Sequence, residues 1–354
     1  MRRWLAAGAC AGVLCVILAL GWWPLHIPRN DVSWLADRNG LHFGRYSTVF
    51  SSGPLERGAG LDGGPVSVEV WLQPGRIWDF STFLAFDAPG DPFRFSLRQW
   101  QLDLFVHART QELLVRNVFP RKGATFLTIT AGEDGTVVYV NGVAARRAPG
   151  FRLSGEDLAG RLVLGDSPGQ SDTWRGQLFG VAIYRQELTA AEVMEHFHGW
   201  TQLGKPAIGS DSRVVALYLF DGHAGRVVDN RAGAGANLYI PQKYTVLDQL
   251  FLETPWSEYR RTQDFWGAVT KNIIGFVPFG CCFCAYLSLM RRMRRATVVT
   301  VLLGFGVSLM IELVQAFLPM RASGMMDLVT NTLGTYLGVL VYEVFRPVFE
   351  LLLG

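Results

Sequence analysis

The chain has 354 residues, 49% hydrophobic and 18% charged, with a formal net charge of +3. The hydrophobic content excludes a disordered chain and five cysteines exclude a disulfide scaffold, while a charged fraction below the ~25% of ordinary soluble domains predicts that part of the chain does not face water. The surplus positive charge is no nucleic-acid footprint, because residues 28–264 hold 24 basic against 26 acidic residues and the excess sits in the apolar ends.

From Trp4 to Leu25 no residue is charged, and Arg2-Arg3 precede the run. About 20 apolar residues span a bilayer as a helix, and Trp22-Trp23 suits the interfacial aromatic belt. Residues 1–27 are therefore predicted to form a first transmembrane helix, retained rather than cleaved at Ala19-Leu20-Gly21.

Between residues 28 and 250 the pattern changes to short alternating strands. Val66, Val68, Val70 and Leu72 share one face, and similar runs occupy Phe93–Leu97, Leu102–Val106, Thr125–Ala131, Val137–Val140 and Val181–Tyr184. Asp134-Gly135 and Asn141-Gly142 sit where hairpin turns need positive φ. Thr189 and Glu192 form a capping box that opens one short helix towards His198. Many short strands with frequent turns predict an all-β sandwich or barrel. No cysteine lies in this region, so its stability rests on its own core. Asp166 and Asp172 flank a loop with oxygen ligands for Ca²⁺, but turn formation explains them as well, and no metal is assigned. His196 and His198, two apart, share no helical face and are expected to be solvated. Trp71, Trp78, Trp100 and Trp174 are expected in the sandwich core first and as sugar-stacking rings second.

Phe126–Thr130 followed by Asp134–Val143, and then Trp174–Tyr184 with Leu188-Thr189, resemble the laminin-G/concanavalin A-like jelly rolls over roughly residues 40–250. Val215–Asp221 resembles the strand that opens such a domain, yet here it stands near the end, as in a circular permutation. The resemblance implies binding of a cell-surface glycan or protein. Some such folds are glycanases with closely spaced carboxylates, and no E-x-D-x-E or E-x-D-x-x-E pattern is present. Glu133-Asp134 and Glu156-Asp157 are predicted in turns.

Residues 251–264 are predicted as a juxtamembrane linker, with Trp256, Tyr259 and the nearby Trp266 at the interface. Residues 265–354 carry three more apolar runs, from about Phe265 to Met290, Ala296 to Leu318 and Leu328 to Phe345. Arg291-Arg292-Met293-Arg294-Arg295 separates the first two. Positive charge in short loops stays inside, so four spans with both termini cytoplasmic and residues 28–250 extracytoplasmic satisfy one orientation.

Polar residues recur in these spans at helical spacing. Glu312 and Gln315 stand at i, i+3 above Ser308, and Asp327 and Asn331 at i, i+4 before Gly334 and Gly338. Asn272 opens its span, and Arg321 lies in the outer loop. At a rise of ~1.5 Å per residue, Glu312 lies about 9 Å below Leu318 and Asn331 about 6 Å below Asp327, so these groups can converge on the outer side. A carboxylate in the bilayer costs about 3 kcal/mol or more, which demands that Glu312 face the interior, be protonated, or pair with Arg321 or Lys271.

Asn272–Gly280 with Ile311-Glu312, Gln315, Arg321, Asp327, Asn331 and Gly334 closely resembles the VanZ-like membrane family over about residues 264–346, with the first helix as its opening span. The resemblance implies a bacterial envelope protein, some of whose relatives are linked to teicoplanin resistance, and it implies neither a reaction nor a cofactor. Two functional expectations follow. The first is a non-catalytic envelope protein whose jelly roll takes a glycan or partner and whose cluster of Asn272, Glu312, Gln315, Arg321, Asp327 and Asn331 takes a membrane lipid or lipid-linked precursor. The alternative is a membrane enzyme with Glu312 or Asp327 as acid/base and Arg321 holding an anionic group. The absence of histidine from residues 265–354 weighs against the second.

Overall fold

The computed structural model describes residues 2–55, 61, 63–88, 91–169, 171–205, 213–233, 235–255, 263–291, 295–321 and 323–353. Trp256 and Tyr259 of the predicted juxtamembrane linker, and Arg292, Met293 and Arg294 of the predicted inner loop, lie outside these residues. The chain forms two compact units, Pro28–Gln249 and the remainder, Met1–Ile27 with Leu250–Gly354.

The first unit is a sandwich of two antiparallel sheets. One is built from β1 (Val32–Trp34), β2 (Leu41–Phe43), β13 (Gly176–Tyr184), β4 (Val66–Pro74), β9 (Thr125–Gly132), β10 (Gly135–Val140) and β11 (Val143–Ala148), in that spatial order, with β14 (Val214–Tyr218) also on β13. The other runs β15 (Val227–Val228), β16 (Leu238–Tyr239), β3 (Val49–Ser51), β12 (Arg161–Leu164), β5 (Phe80–Ala88), β6 (Asp91–Trp100), β7 (Asp103–Ala108) and β8 (Gln111–Val115). The predicted alternation sets the register. Val66, Val68, Val70 and Leu72 of β4 point between the sheets with Leu127 and Ile129 of β9, all fully buried. Each such side chain contributes about 1.5–3 kcal/mol of transfer free energy. Asn141 and Gly142 both take positive φ, +50° and +81°, as the predicted two-residue turn between β10 and β11 requires. The late segment adds β14 to one sheet and β15 and β16 to the other, so residues 214–239 complete the same sandwich rather than start a second module.

The helix α2 (Ala190–His198) starts at the predicted capping box. The Thr189 amide donates to Glu192 Oε2 at 2.7 Å and the Glu192 amide to Thr189 Oγ1 at 3.3 Å. With the turn Gly199–Leu203 it supplies the aromatic and aliphatic side chains of a second apolar cluster, in which Val193 and Trp200 pack with Phe126, Tyr139 and Tyr184. Strand β4 is therefore buried on both faces, and Glu69 between Val68 and Val70 is wholly enclosed.

The second unit contains α1 (Arg2–Trp22), α3 (Gln263–Arg291), α4 (Ala296–Gln315) and α5 (Met325–Leu353). Each holds a stretch long and apolar enough to cross a membrane: Trp4–Trp22, Phe265–Leu289, Ala296–Gln315 and Met325–Pro347. Glycine decides how closely α3 and α5 approach. A Cβ on Gly280 would lie 2.0 Å from the Thr335 carbonyl oxygen, and one on Gly338 would lie 2.1 Å from that of Val277. Backbones meet there because nothing larger fits, the small-residue packing of membrane helices.

Candidate functional site

The six polar residues singled out in the membrane spans lie where α1 and α4 end and α3 and α5 begin. Glu312, three residues before the end of α4, is 1% exposed, and its Oε2 accepts the backbone N–H of Gly324 at 2.9 Å. One turn deeper on α4, Ser308 Oγ accepts from Asn331 Nδ2 at 3.0 Å, and Asn331 Oδ1 is buried with no hydrogen-bond partner. Asn272 Nδ2 donates to Asp327 Oδ1 at 2.7 Å and so joins α3 to α5. Gln315 Nε2 donates to the Gly21 carbonyl at 2.7 Å, and the Arg321 guanidinium donates to the carbonyl of Trp23 and lies within electrostatic range of Asp327. All six thus gather at one end, as small groups rather than around one reacting centre.

The geometry gives these residues a definite physical task. A helix terminus leaves its last carbonyls and its first amides without partners, and in hydrocarbon each unmet group is costly. Glu312 serves the amide of Gly324, one residue before α5, while Gln315 and Arg321 serve carbonyls at the end of α1. The same turn pairs with the chain entering α3: the Glu253 amide donates to Ser323 O at 3.0 Å, and the Met325 amide to Glu253 O at 2.9 Å. Glu312 thus faces the interior, one of the alternatives expected of it, and its Oε2 meets a main-chain amide there.

In the sandwich, Asp166 and Asp172 are structural. Asp166 Oδ1 accepts the amides of Ser167 and Asp172 at 2.9 and 2.8 Å, and Oδ2 accepts the Tyr244 hydroxyl at 2.7 Å. Burial raises Asp166 to about 7 against the lowering effect of those bonds. Asp172 Oδ2 accepts from Thr82 Oγ1 at 2.8 Å and from Arg98 Nη2 at 3.1 Å.

His196 corrects the expectation of solvation. It is 8% exposed, and its Nδ1 lies 2.9 Å from Glu69 Oε1, while Glu69 Oε2 accepts from Tyr184 Oη at 2.7 Å and Trp200 Nε1 at 3.1 Å. The reason is tertiary: the helix covers the outer face of β4 and turns His196 onto a carboxylate 127 residues earlier in the chain. Burial pulls the imidazole down, but the hydrogen bond and charge of Glu69, with Glu192 and Glu195 beyond, outweigh it and leave the pKa above the ordinary value. His198 is exposed, as expected.

The four tryptophans divide. Trp174 is fully buried and Trp71 half-buried against Phe179, but Trp78 and Trp100 stand out at 70% and 45% exposure. On the outer face of β5–β8, Phe80 lies opposite Trp100, and Thr82, Arg98, Phe105 and Leu114 form the next cross-strand row. Phe80 meets Trp100 edge-on, with centroids 5.2 Å apart and planes at 85°, and Trp100 continues to Phe105 at 5.8 Å. Gln99 builds this arrangement from inside. Fully buried, it accepts Trp174 Nε1 at 2.8 Å and donates to the carbonyls of Arg76 at 2.6 Å and Gln101 at 3.0 Å, tying the Trp78 turn to the β6–β7 turn. The sequence reading missed Phe80, Phe105 and Gln99. The signal was there in Trp78-x-Phe80 and Trp100 at opposite ends of a predicted hairpin, but the pairing register decides that they meet.

Residues 215–346 match the family model described as VanZ/LLP1, and residues 50–194 match that of the concanavalin A-like lectin/glucanases superfamily. The first match begins inside β14 and so takes in the closing strands of the sandwich as well as α3 to α5. No curated protein sequence matches the chain. Among solved structures, similarity is found to a candidate carbohydrate binding protein from Bacteroides ovatus, at 15% identity over 59% of this chain and 60% of that one, with a TM-score of 0.45. A Trypanosoma rangeli sialidase in complex with 2,3-difluorosialic acid gives 16% identity, 49% and 30% coverage and 0.40. A heptameric SAP-like pentraxin from Limulus polyphemus gives 12%, 62% and 95%, and 0.38. This chain therefore spans less than two thirds of the length of the first two.

Proposed function

We propose that this chain, a membrane protein joining a VanZ-like region to a concanavalin A-like sandwich, is a non-catalytic envelope protein of the bacterial cytoplasmic membrane. Its sandwich lies outside the cytoplasm and takes a glycan or a partner protein. Its residues Asn272, Glu312, Gln315, Arg321, Asp327 and Asn331 receive a lipid or the headgroup of a lipid-linked envelope precursor at the outer leaflet. One observation carries this reading. The polar residues gather at the end of the bundle where α1 finishes and α3 begins, which is where the chain leaves for and returns from residues 28–249. Arg291 ends α3 and opens the basic sequence Arg291–Arg295, and the positive-inside rule supports a cytoplasmic far end. Arg321 is a cation at the polar end and supports an anionic headgroup as its ligand.

The test uses the full chain extracted into native lipid particles. Mass spectrometry of the bound lipid is expected to find a polyprenyl-linked or anionic lipid retained by the parent chain and lost from Arg321→Ala. Retention that is equal in the two, or a sandwich that an impermeant label reaches only from the cytoplasmic side, overturns the reading.

A further inference from the structure

We propose that the outer face of β5–β8 is the sandwich's glycan site, a platform of Trp78, Phe80, Trp100 and Phe105 that takes a neutral glycan of equatorially hydroxylated pyranose rings. It rests on the reading above that the sandwich binds glycan, and adds where and what kind. The first support is exposure of a kind that soluble surfaces avoid. Trp78 is 70% exposed, and Phe80, Trp100 and Leu114 between 41% and 45%, on adjacent turns and strands. Such contiguous apolar surface marks a binding site. Four strands at a spacing of ~4.8 Å make the face roughly 14 Å across, enough for a short run of sugar rings.

The second support is that the platform is held before any ligand arrives. Phe80 meets Trp100 edge-on and Trp100 meets Phe105 with planes at 32°, and a buried glutamine with three hydrogen bonds fixes the two turns that carry Trp78 and Trp100. Polar satisfaction at that depth gives a single geometry and lowers the ordering cost of binding. A pyranose with equatorial hydroxyls presents C–H groups on both faces, which lie flat on an aromatic ring, and directs its hydroxyls sideways. The side chains for those hydroxyls are in place in the next rows: Arg98 paired with Asp172, then His107 and Glu112 in register across β7 and β8.

Charge separates this ligand from a bilayer. Asp79 adjoins Phe80, and Asp103 lies opposite Trp100, so carboxylates flank the rings, with Arg76 the basic residue of the Trp78 turn. Anionic lipid surfaces attract clusters of Lys and Arg, and this face instead sets Arg76 and Arg98 against Asp79 and Asp103. That balance favours a neutral ligand over an acidic polysaccharide.

The experiment is a binding titration of the full chain in lipid nanodiscs against β-linked glucose and N-acetylglucosamine oligosaccharides. The parent chain is compared with Trp78→Ala, Trp100→Ala and Arg152→Ala, the last in a separate cleft of about 530 Å³ lined by Arg109, Glu133, Asp157 and Glu187. Trp78 is too exposed for its loss to unfold the core, so one variant tests binding alone. Binding by the parent chain and Arg152→Ala, weakened about tenfold (~1.4 kcal/mol) in each tryptophan variant, is the expected result. Binding that the tryptophan variants keep and Arg152→Ala loses overturns this site while sparing the glycan reading. No glycan binding at all overturns both.

Discussion

Removing the Glu69 carboxylate tests whether the outer face of β4 is held by one buried acceptor. Glu69 is wholly enclosed and receives Tyr184 Oη, Trp200 Nε1 and His196 Nδ1 at 2.7, 3.1 and 2.9 Å. Glu69→Ala leaves three buried donors without an acceptor, each worth about 1–3 kcal/mol, so a loss of roughly 4 kcal/mol is expected, in line with ~3–5 for breaking a buried charged pair. For a domain of this size ~1 kcal/mol moves the midpoint by about 2–4 °C, which puts the sandwich transition roughly 8–16 °C lower. Glu69→Gln keeps an acceptor but no charge, and separates packing from electrostatics. His196 stands above its ordinary pKa in the fold, so the folded chain binds its proton more tightly than the unfolded one. The resulting stabilisation is fully present below the unfolded value of ~6.5 and is lost as pH rises through the folded value. The assay is thermal unfolding of the full chain from pH 5.5 to 9, following tryptophan fluorescence. A larger Glu69→Gln deficit at low pH that shrinks towards high pH is expected. A Glu69→Ala midpoint within a degree or two of the parent, or a pH-independent Glu69→Gln deficit, refutes the reasoning.

Three further outcomes are expected. Gly338→Ala places a Cβ 2.1 Å from the Val277 carbonyl oxygen and forces α3 and α5 apart, lowering the midpoint of the membrane unit by the equivalent of ~1–3 kcal/mol, whereas Gly275→Ala, with nothing within 4 Å, leaves it unchanged. Glu312→Gln retains an acceptor for the Gly324 amide and is expected to unfold near the parent temperature. Glu312→Leu orphans that amide and costs about 1–3 kcal/mol, and equal loss in the two would mean that charge rather than the acceptor matters. Burial raises the folded pKa of Asp166 to about 7, so its contribution is complete below an unfolded value of ~3.9 and is lost as pH rises towards 7. Asp166→Asn is therefore expected to flatten the decline in sandwich stability across that window, read from denaturant midpoints, and an unchanged slope would contradict the burial argument.

The sequence by itself determined the elements whose cause is local. Four apolar runs of spanning length set the membrane helices, and alternating Val66, Val68, Val70 and Leu72 set a strand and its inner face. Asn141-Gly142 set a turn that needs positive φ, and Thr189 with Glu192 set a helix start. Period, length and turn chemistry act within a few residues and can be read there. Glu312, Asn331 and Ser308 were likewise legible as polar residues on inward faces, since apolar surroundings make a charged or amide side chain conspicuous. Their partners were not. That Glu312 meets the amide of Gly324 depends on how a turn is folded over the helix end. His196 and Trp100 carried equal ambiguity: one was expected in water and is buried against Glu69, and the other was expected in the core and stands exposed beside Phe80. Which sheet face α2 covers, and which strand ends come together, are consequences of register between segments far apart in the chain. Tertiary structure alone sets those long-range pairings, and with them the difference between a core residue and an exposed one.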